Sequence, residues 1–230
     1  MIPILLTLAI GQQLEKLPNK PVAKVAYADV VQSIKDSSVR VEVRTKDIRT
    51  GKTCRKYACG TVIHADKGGF YVLTCAHGLY TLEGHCVPSA IVQGPVNGGT
   101  QYEGWVVAES HQRDVAVLKV SAEKHPFKAS AVAWDGVWTK LPIIRCGYPE
   151  GKYRYLVHGR LTGRTAILHN TPSAKAVGVW PDSVGGMSGG GVFRESDGKL
   201  LAVTSVVTHA AALSSVEYIL DKAKIKGLVK

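Results

Sequence analysis

Residues 182–193 read DSVGGMSGGGVF, and five of these twelve residues are glycine. The serine at the centre, Ser188, has Gly186 two places before it and Gly189 and Gly190 directly after it. Such a run is either a slack loop or a backbone kept bare around one hydroxyl. Glycine serves the second purpose where the chain takes a left-handed turn, or where N–H groups must lie open to another group. What the rest of the chain supplies decides between them.

The chain has 230 residues, enough for one domain or two small lobes with a buried core. It is 45% apolar and 20% charged, a globular balance and not a disordered one. Abundant valine, 24 glycines and 10 prolines favour many short strands joined by tight turns. The net charge of +11 is spread along the sequence, with its densest cluster in the tail LDKAKIKGLVK (220–230). Aromatics make up 7% and no base-stacking motif occurs, so no specific nucleic-acid partner is expected.

The first residues, MIPILLTLAIGQQ, hold an apolar run from Ile2 to Ile10 that is too short to span a bilayer. It fits a short secretory signal cleaved after Gly11, with residues 12–25 as a polar leader. The expectation is therefore a secreted or periplasmic protein with no stable membrane insertion after processing. Export would permit one or two disulfides among Cys54, Cys59, Cys75 and Cys86, and Cys146 makes the cysteine count odd. No C-x-x-C spacing occurs, and no metal or other cofactor is expected.

YADVVQSIKDS (27–37) has helical spacing, and so does SSVEYILDKAKIKGLVK, giving a C-terminal helix over about 214–226. Between them lie two sets of about six strand-like segments. The first runs from VRVEVRT to VAVLKV (about 38–122) and the second from LPIIRCGYP to KLLAVTSVV (about 140–210). A strand-poor stretch over about 121–140 separates the sets. Two consecutive sets of short strands suggest two barrels or a sandwich.

Three stretches carry candidate chemistry. In VLTCAHGL (72–79), His77 ends an apolar strand; in HQRDVAVLKV (111–120), Asp114 opens one; the third is the glycine run around Ser188. Each alone is weak, but the set is not. Acyl transfer by serine needs a hydroxyl, an imidazole to take its proton, and a carboxylate to fix the imidazole tautomer. It also needs backbone N–H donors at the developing oxyanion, where flanking side chains would obstruct.

GMSGG (186–190) resembles the G-x-S-G-G of chymotrypsin-like serine peptidases, and TCAH (74–77) resembles their T-A-A-H. RDVAVLKV, GYPEG (147–151) and the leading helix are most similar to the HtrA/Deg branch, here without a PDZ module. The resemblance spans about residues 26–225. It implies an all-β fold of two six-stranded antiparallel barrels with short terminal helices. It implies a cofactor-free serine endopeptidase acting on polypeptides through His77, Asp114 and Ser188. Gly186 and Ser188 would supply the oxyanion N–H groups. The strand after the nucleophile, with Ser205, Val206 and Val207, would border the bound peptide, and Asp182 would face the specificity pocket. Asp182 favours a basic side chain there, whereas Val206 and Val207 favour a small aliphatic one. Met187 replaces the residue usual at that place in the family, so it was expected to pack beneath the loop and loosen the oxyanion site. A peptidase-fold module that holds peptides but cleaves slowly is the alternative. The four tryptophans are expected in core or barrel-end packing, and the histidines other than His77 on the surface.

Overall fold

The computed structural model describes residues 25–230, apart from 48, 82, 95–98, 137–138 and 168–174. The expected signal and leader therefore fall outside the described residues almost entirely, as do Trp138 and His169.

Helix α1 (Tyr27–Ser37) buries Val30 and Ile34, one turn apart on one face. Twelve strands follow, then helix α2 (Leu213–Lys222), which buries Val216, Ile219 and Leu220. The strands are β1 (Ser38–Lys46), β2 (Thr53–Asp66), β3 (Gly69–Thr74), β4 (Ser89–Gln93), β5 (Gln101–Ser110), β6 (Val115–Ser121), β7 (Pro142–Gly147), β8 (Tyr155–Ile167), β9 (Lys175–Trp180), β10 (Gly191–Arg194), β11 (Leu200–Val206) and β12 (His209–Ala211). They close into two barrels, ordered β1-β2-β3-β6-β5-β4 and β10-β11-β12-β9-β8-β7, with every named pair antiparallel. Closure leaves neither sheet a long open edge.

The period-two pattern explains the first barrel. Val39, Val41 and Val43 of β1 point inward with Val62, Phe70, Val72, Val92, Leu118 and Val120. The second barrel is filled by Ile143, Leu161, Val179, Val192, Leu201, Ala202 and Ala210. A third cluster sits between the barrels and fixes them to each other. It joins Ile63, Leu73, Val115 and Val117 to Ile144, Phe193, Leu200 and Val203, and takes in Val30, Ile34, Val216 and Ile219 from the helices. The strand-poor stretch is tied down by Ser130 N–H on the Val62 carbonyl (2.8 Å) and by Val132 N–H on the Lys230 carbonyl (2.7 Å).

Two expectations change. Trp105, Trp134 and Trp180 are 53%, 42% and 54% exposed and are not core packing. Trp105 takes the outward place in the alternation of β5, beside buried Gly104, and Trp180 lies under the Arg160 guanidinium at the end of β9. All five cysteines are free thiols, and Cys59, Cys75 and Cys146 are buried. Among the described residues, no helix is long and apolar enough to cross a membrane.

Candidate active site

The three stretches meet at the seam between the barrels. After β3 the chain leaves the ladder in a 3-10 turn, His77–Leu79, which swings His77 out of the sheet. Asp114 stands just before β6 at φ 51°, a left-handed conformation that aspartate tolerates better than most residues. Its N–H closes a turn on the His111 carbonyl at 3.1 Å.

The Asp114 side chain is buried and its oxygens are well used. Oδ1 accepts the His77 backbone N–H at 2.9 Å, and both oxygens lie 2.9 Å from His77 Nδ1. Oδ2 also accepts the Ser205 hydroxyl. Burial pushes the carboxyl pKa up, but the His77 hydrogen bond and charge, with the Ser205 and backbone bonds, hold it below its ordinary value. For His77, burial opposes the imidazolium. The Asp114 hydrogen bond, then Cys75 and the Asp114 charge, outweigh burial and raise its pKa to about 10.

With Nδ1 engaged by Asp114, Nε2 points the other way, and its neighbour is the Cys75 sulfur at 3.8 Å. Ser188 Oγ donates to the Ser205 carbonyl at 3.3 Å. Ser205 thus joins the two halves of the site: its hydroxyl holds Asp114 and its carbonyl holds Ser188. Among the described contacts no hydrogen bond links Ser188 directly to His77.

The glycine run is a tightly specified turn. Met187 N–H bonds to the Val184 carbonyl (3.2 Å), Gly189 N–H to Thr204 (2.7 Å) and Gly190 N–H to Met187 (3.0 Å). The Ser188 carbonyl accepts the Cys59 N–H at 2.7 Å, a bond from one barrel to the other. Gly186 and Gly189 have φ +86° and +83°, and a Cβ at Gly189 would lie 2.2 Å from the Cys59 carbonyl oxygen. Among the described residues, the N–H groups of Gly186 and Ser188 make no internal hydrogen bond. Beneath the turn, Met187 is buried against Gly147. Cys59 Sγ donates to the Gly186 carbonyl and accepts the Tyr148 N–H, each at 3.0 Å. Burial pushes the Cys59 thiol pKa far up, so it stays a neutral donor.

The residues expected to border substrate are placed differently from one another. Ser205 is buried; Val206 and Val207 are about half exposed where β11 turns into β12. Ser183 docks on that turn, its N–H on the Val207 carbonyl at 2.8 Å. Asp182 is exposed and lines a groove of ≈ 720 Å³ with Lys140, Arg160, Arg164, Trp180 and His209.

Three residues were missed from sequence in these roles. Cys75 was weighed only as a disulfide partner, although its place two residues before His77 was visible. The Ser205 hydroxyl, which touches Asp114, carries no local signal. Arg145 is a lone charge in the apolar run LPIIRCG, and that was a signal: it is 1% exposed inside the second barrel. Burial pulls its pKa down, and the charge of Asp182 opposes this.

Residues 58–203 match the trypsin-like peptidase domain family, more than half of the chain. The chain belongs to that family. Solved structures share the fold. This trypsin-like peptidase domain superimposes on the HtrA-type protease AlgW bound to a tripeptide with a TM-score of 0.67 at 18% identity, covering 89% of this chain and 65% of that one. An active-form protease of M. tuberculosis gives 0.65 at 22% identity, covering 84% and 83%. The serine endoprotease of Yersinia pestis gives 0.64 at 19%, covering 88% and 68%. The chain thus spans just under two thirds of the AlgW chain's length. No curated protein matches it in sequence.

Proposed function

We propose that the protein is a serine endopeptidase that hydrolyses peptide bonds through an acyl-enzyme on Ser188. The observation that carries this reading is the fully engaged Asp114 carboxylate, bonded to His77 N–H, to His77 Nδ1 and to Ser205. Such an anchor fixes the proton on Nδ1 and leaves Nε2 as the base.

Attack requires Ser188 Oγ to leave the Ser205 carbonyl and meet Nε2. His77 takes the hydroxyl proton as Oγ attacks the substrate carbonyl carbon. The N–H groups of Gly186 and Ser188, free of internal partners among the described residues, receive the oxyanion. The imidazolium gives its proton to the leaving amine as the C–N bond breaks. Water then attacks the Ser188 ester with His77 again as base.

One observation favours a second reading, a module that holds peptides and cleaves slowly. His77 Nε2 faces Cys75 and Ser188 faces Ser205, so the productive pair must form from a resting arrangement. A fluorophosphonate probe separates the two. The endopeptidase reading expects labelling of Ser188, casein cleavage, and loss of both in Ser188→Ala. Wild-type protein that neither labels nor cleaves between pH 6 and about 11, a range that carries His77 through its pKa of about 10, would overturn it.

A further inference from the structure

We propose that Arg145 forms the base of a subsite next to the Ser188 turn that is selective for an acidic side chain, aspartate or glutamate, on the residue that becomes the acyl group. The inference rests on the peptide-hydrolysis reading above, because it assigns a subsite of that same site.

The placement follows from register. Arg145 of β7 lies opposite Val192 of β10, and Val192 belongs to the interior of the second barrel. Directly paired residues share a face, so Arg145 projects into that interior. Thr204 lies opposite Ala210, another interior residue. It also exchanges hydrogen bonds with the nucleophile turn: Gly189 N–H on the Thr204 carbonyl (2.7 Å) and Thr204 N–H on the Gly190 carbonyl (2.8 Å). Arg145 and Thr204 therefore share the barrel interior, and Thr204 sits at the end closed by residues 181–190.

There the polar groups are left incomplete. Arg145 Nη2 donates to the Pro181 carbonyl, but among the described residues its Nε and Nη1 have no partner, and neither has the Thr204 hydroxyl. A buried guanidinium with two donor nitrogens free of protein partners is costly unless an acceptor or counter-ion reaches them. Asp182 is the acid whose charge acts on it, yet Asp182 is exposed and makes no direct ion pair with it.

The identity of the missing partner follows from these atoms. A lysine or arginine side chain would meet a like charge at low dielectric. An aliphatic one would leave all three atoms unpaired. A carboxylate accepts from the guanidinium fork at two points and has capacity left for the Thr204 hydroxyl. Reaching it requires the 181–184 segment and the Val206–Val207 turn to part where Ser183 now joins them. The surroundings agree in sign: the groove that begins at Trp180 and Asp182 carries Lys140, Arg160 and Arg164.

The decisive measurement is binding of short peptides to Ser188→Ala protein. The peptides differ only in their C-terminal residue: Glu, Gln, Leu or Lys. The Glu peptide is expected to bind at least about tenfold more tightly than its isostere Gln, with Lys weakest. Adding Arg145→Met, a flexible apolar chain, should make Glu and Gln equal. If that variant does not fold, Arg145→Gln answers the same question. In parallel, wild-type protein should cut a peptide library after Glu and Asp. Equal binding of Glu and Gln by the parent, or a preference that survives loss of Arg145, overturns the proposal. The two readings fail separately. Protein that labels and cleaves without an acidic preference removes this inference and leaves hydrolysis standing. Protein that never labels removes hydrolysis, while the binding comparison still decides the subsite.

Discussion

Replacing Cys75 by alanine is expected to move the pH dependence of Ser188 acylation to lower pH. The reaction needs His77 neutral at Nε2, so its rate below the pKa follows the neutral fraction. With a pKa of about 10, that fraction at pH 7.5 is about 0.3%, against about 90% for an unperturbed histidine. Burial disfavours the imidazolium; the hydrogen bond and charge of Asp114, with the contact to Cys75, reverse the balance. Asp114 is needed to orient the ring, so Cys75, 3.8 Å from Nε2, is the contribution that can be removed without dismantling the site. Cys75→Ala should lower the acid limb and so speed labelling at pH 7.5. Cys75→Ser keeps a hydrogen-bonding group beside Nε2 and should fall between. The lost sulfur leaves a small buried void, costing about 1 kcal/mol, which a folded domain tolerates. Fluorophosphonate labelling rate against pH reads the limb. An NMR titration of the His77 ring reads the same equilibrium without turnover. The sign extends to stability. A histidine pKa raised on folding contributes stability that is fully present below about pH 6.5 and fades as pH climbs through about 10. Cys75→Ala should shrink that contribution. A His77 ring that titrates near pH 6.5 in wild-type protein, or at one pH in both proteins, refutes the reasoning.

Three further outcomes are expected. Asp114→Asn keeps a side chain suited to the left-handed φ of 51° but reverses the Nδ1 hydrogen bond, so kcat should fall by about 10⁴ while thermal unfolding shows the protein still folded. Gly189→Ala forces a Cβ to 2.2 Å from the Cys59 oxygen at a φ of +83°, and urea unfolding should show a loss of more than about 2 kcal/mol together with loss of Ser188 labelling. Asp197 grips the Arg194 guanidinium at two points, 2.9 and 2.6 Å, and its pKa is lowered because these bonds outweigh partial burial. Its stabilisation is present above pH 3.8 and lost as pH falls through the lower folded value; Asp197→Asn should cost about 1–3 kcal/mol at pH 7 and progressively less as pH falls below 3.8.

Much of the architecture was legible because it rests on local signals. The alternating valines of β1 and the apolar run of β6 are period-two patterns that hold wherever the strands are placed. The helix at 27–37 showed its one-turn spacing in sequence, and the two strand sets are the two barrels. The three candidate site stretches were legible for another reason. Each is a residue type set in an unusual local context: a histidine ending a strand, an aspartate opening one, a serine among glycines. Trp105, Trp134 and Trp180 depart from the expected core or barrel-end packing in being exposed, because bulk alone does not bury a side chain: β5 alternates and Trp105 falls on its outer face.

What was not legible depends on contacts across long separations. Ser205 lies 91 residues from Asp114, and Cys59 lies 89 from the Tyr148 N–H that it accepts. No periodicity encodes such pairs; only closure of both barrels brings them together. Met187 is the instructive case. From sequence it threatened to loosen the oxyanion turn, because it departs from the family pattern. In place it fills the space beside Gly147, while the Cys59 thiol holds the Gly186 carbonyl from beneath. A thioether packs where a charge would need a counter-ion, and its flexibility lets it fit an irregular gap. The turn is then held by a neutral thiol and by packing, neither of which titrates over the working range of a histidine base. The pH response of the site therefore falls to His77 and its two neighbours, Asp114 and Cys75, and that is why exchange of one buried sulfur is expected to shift it.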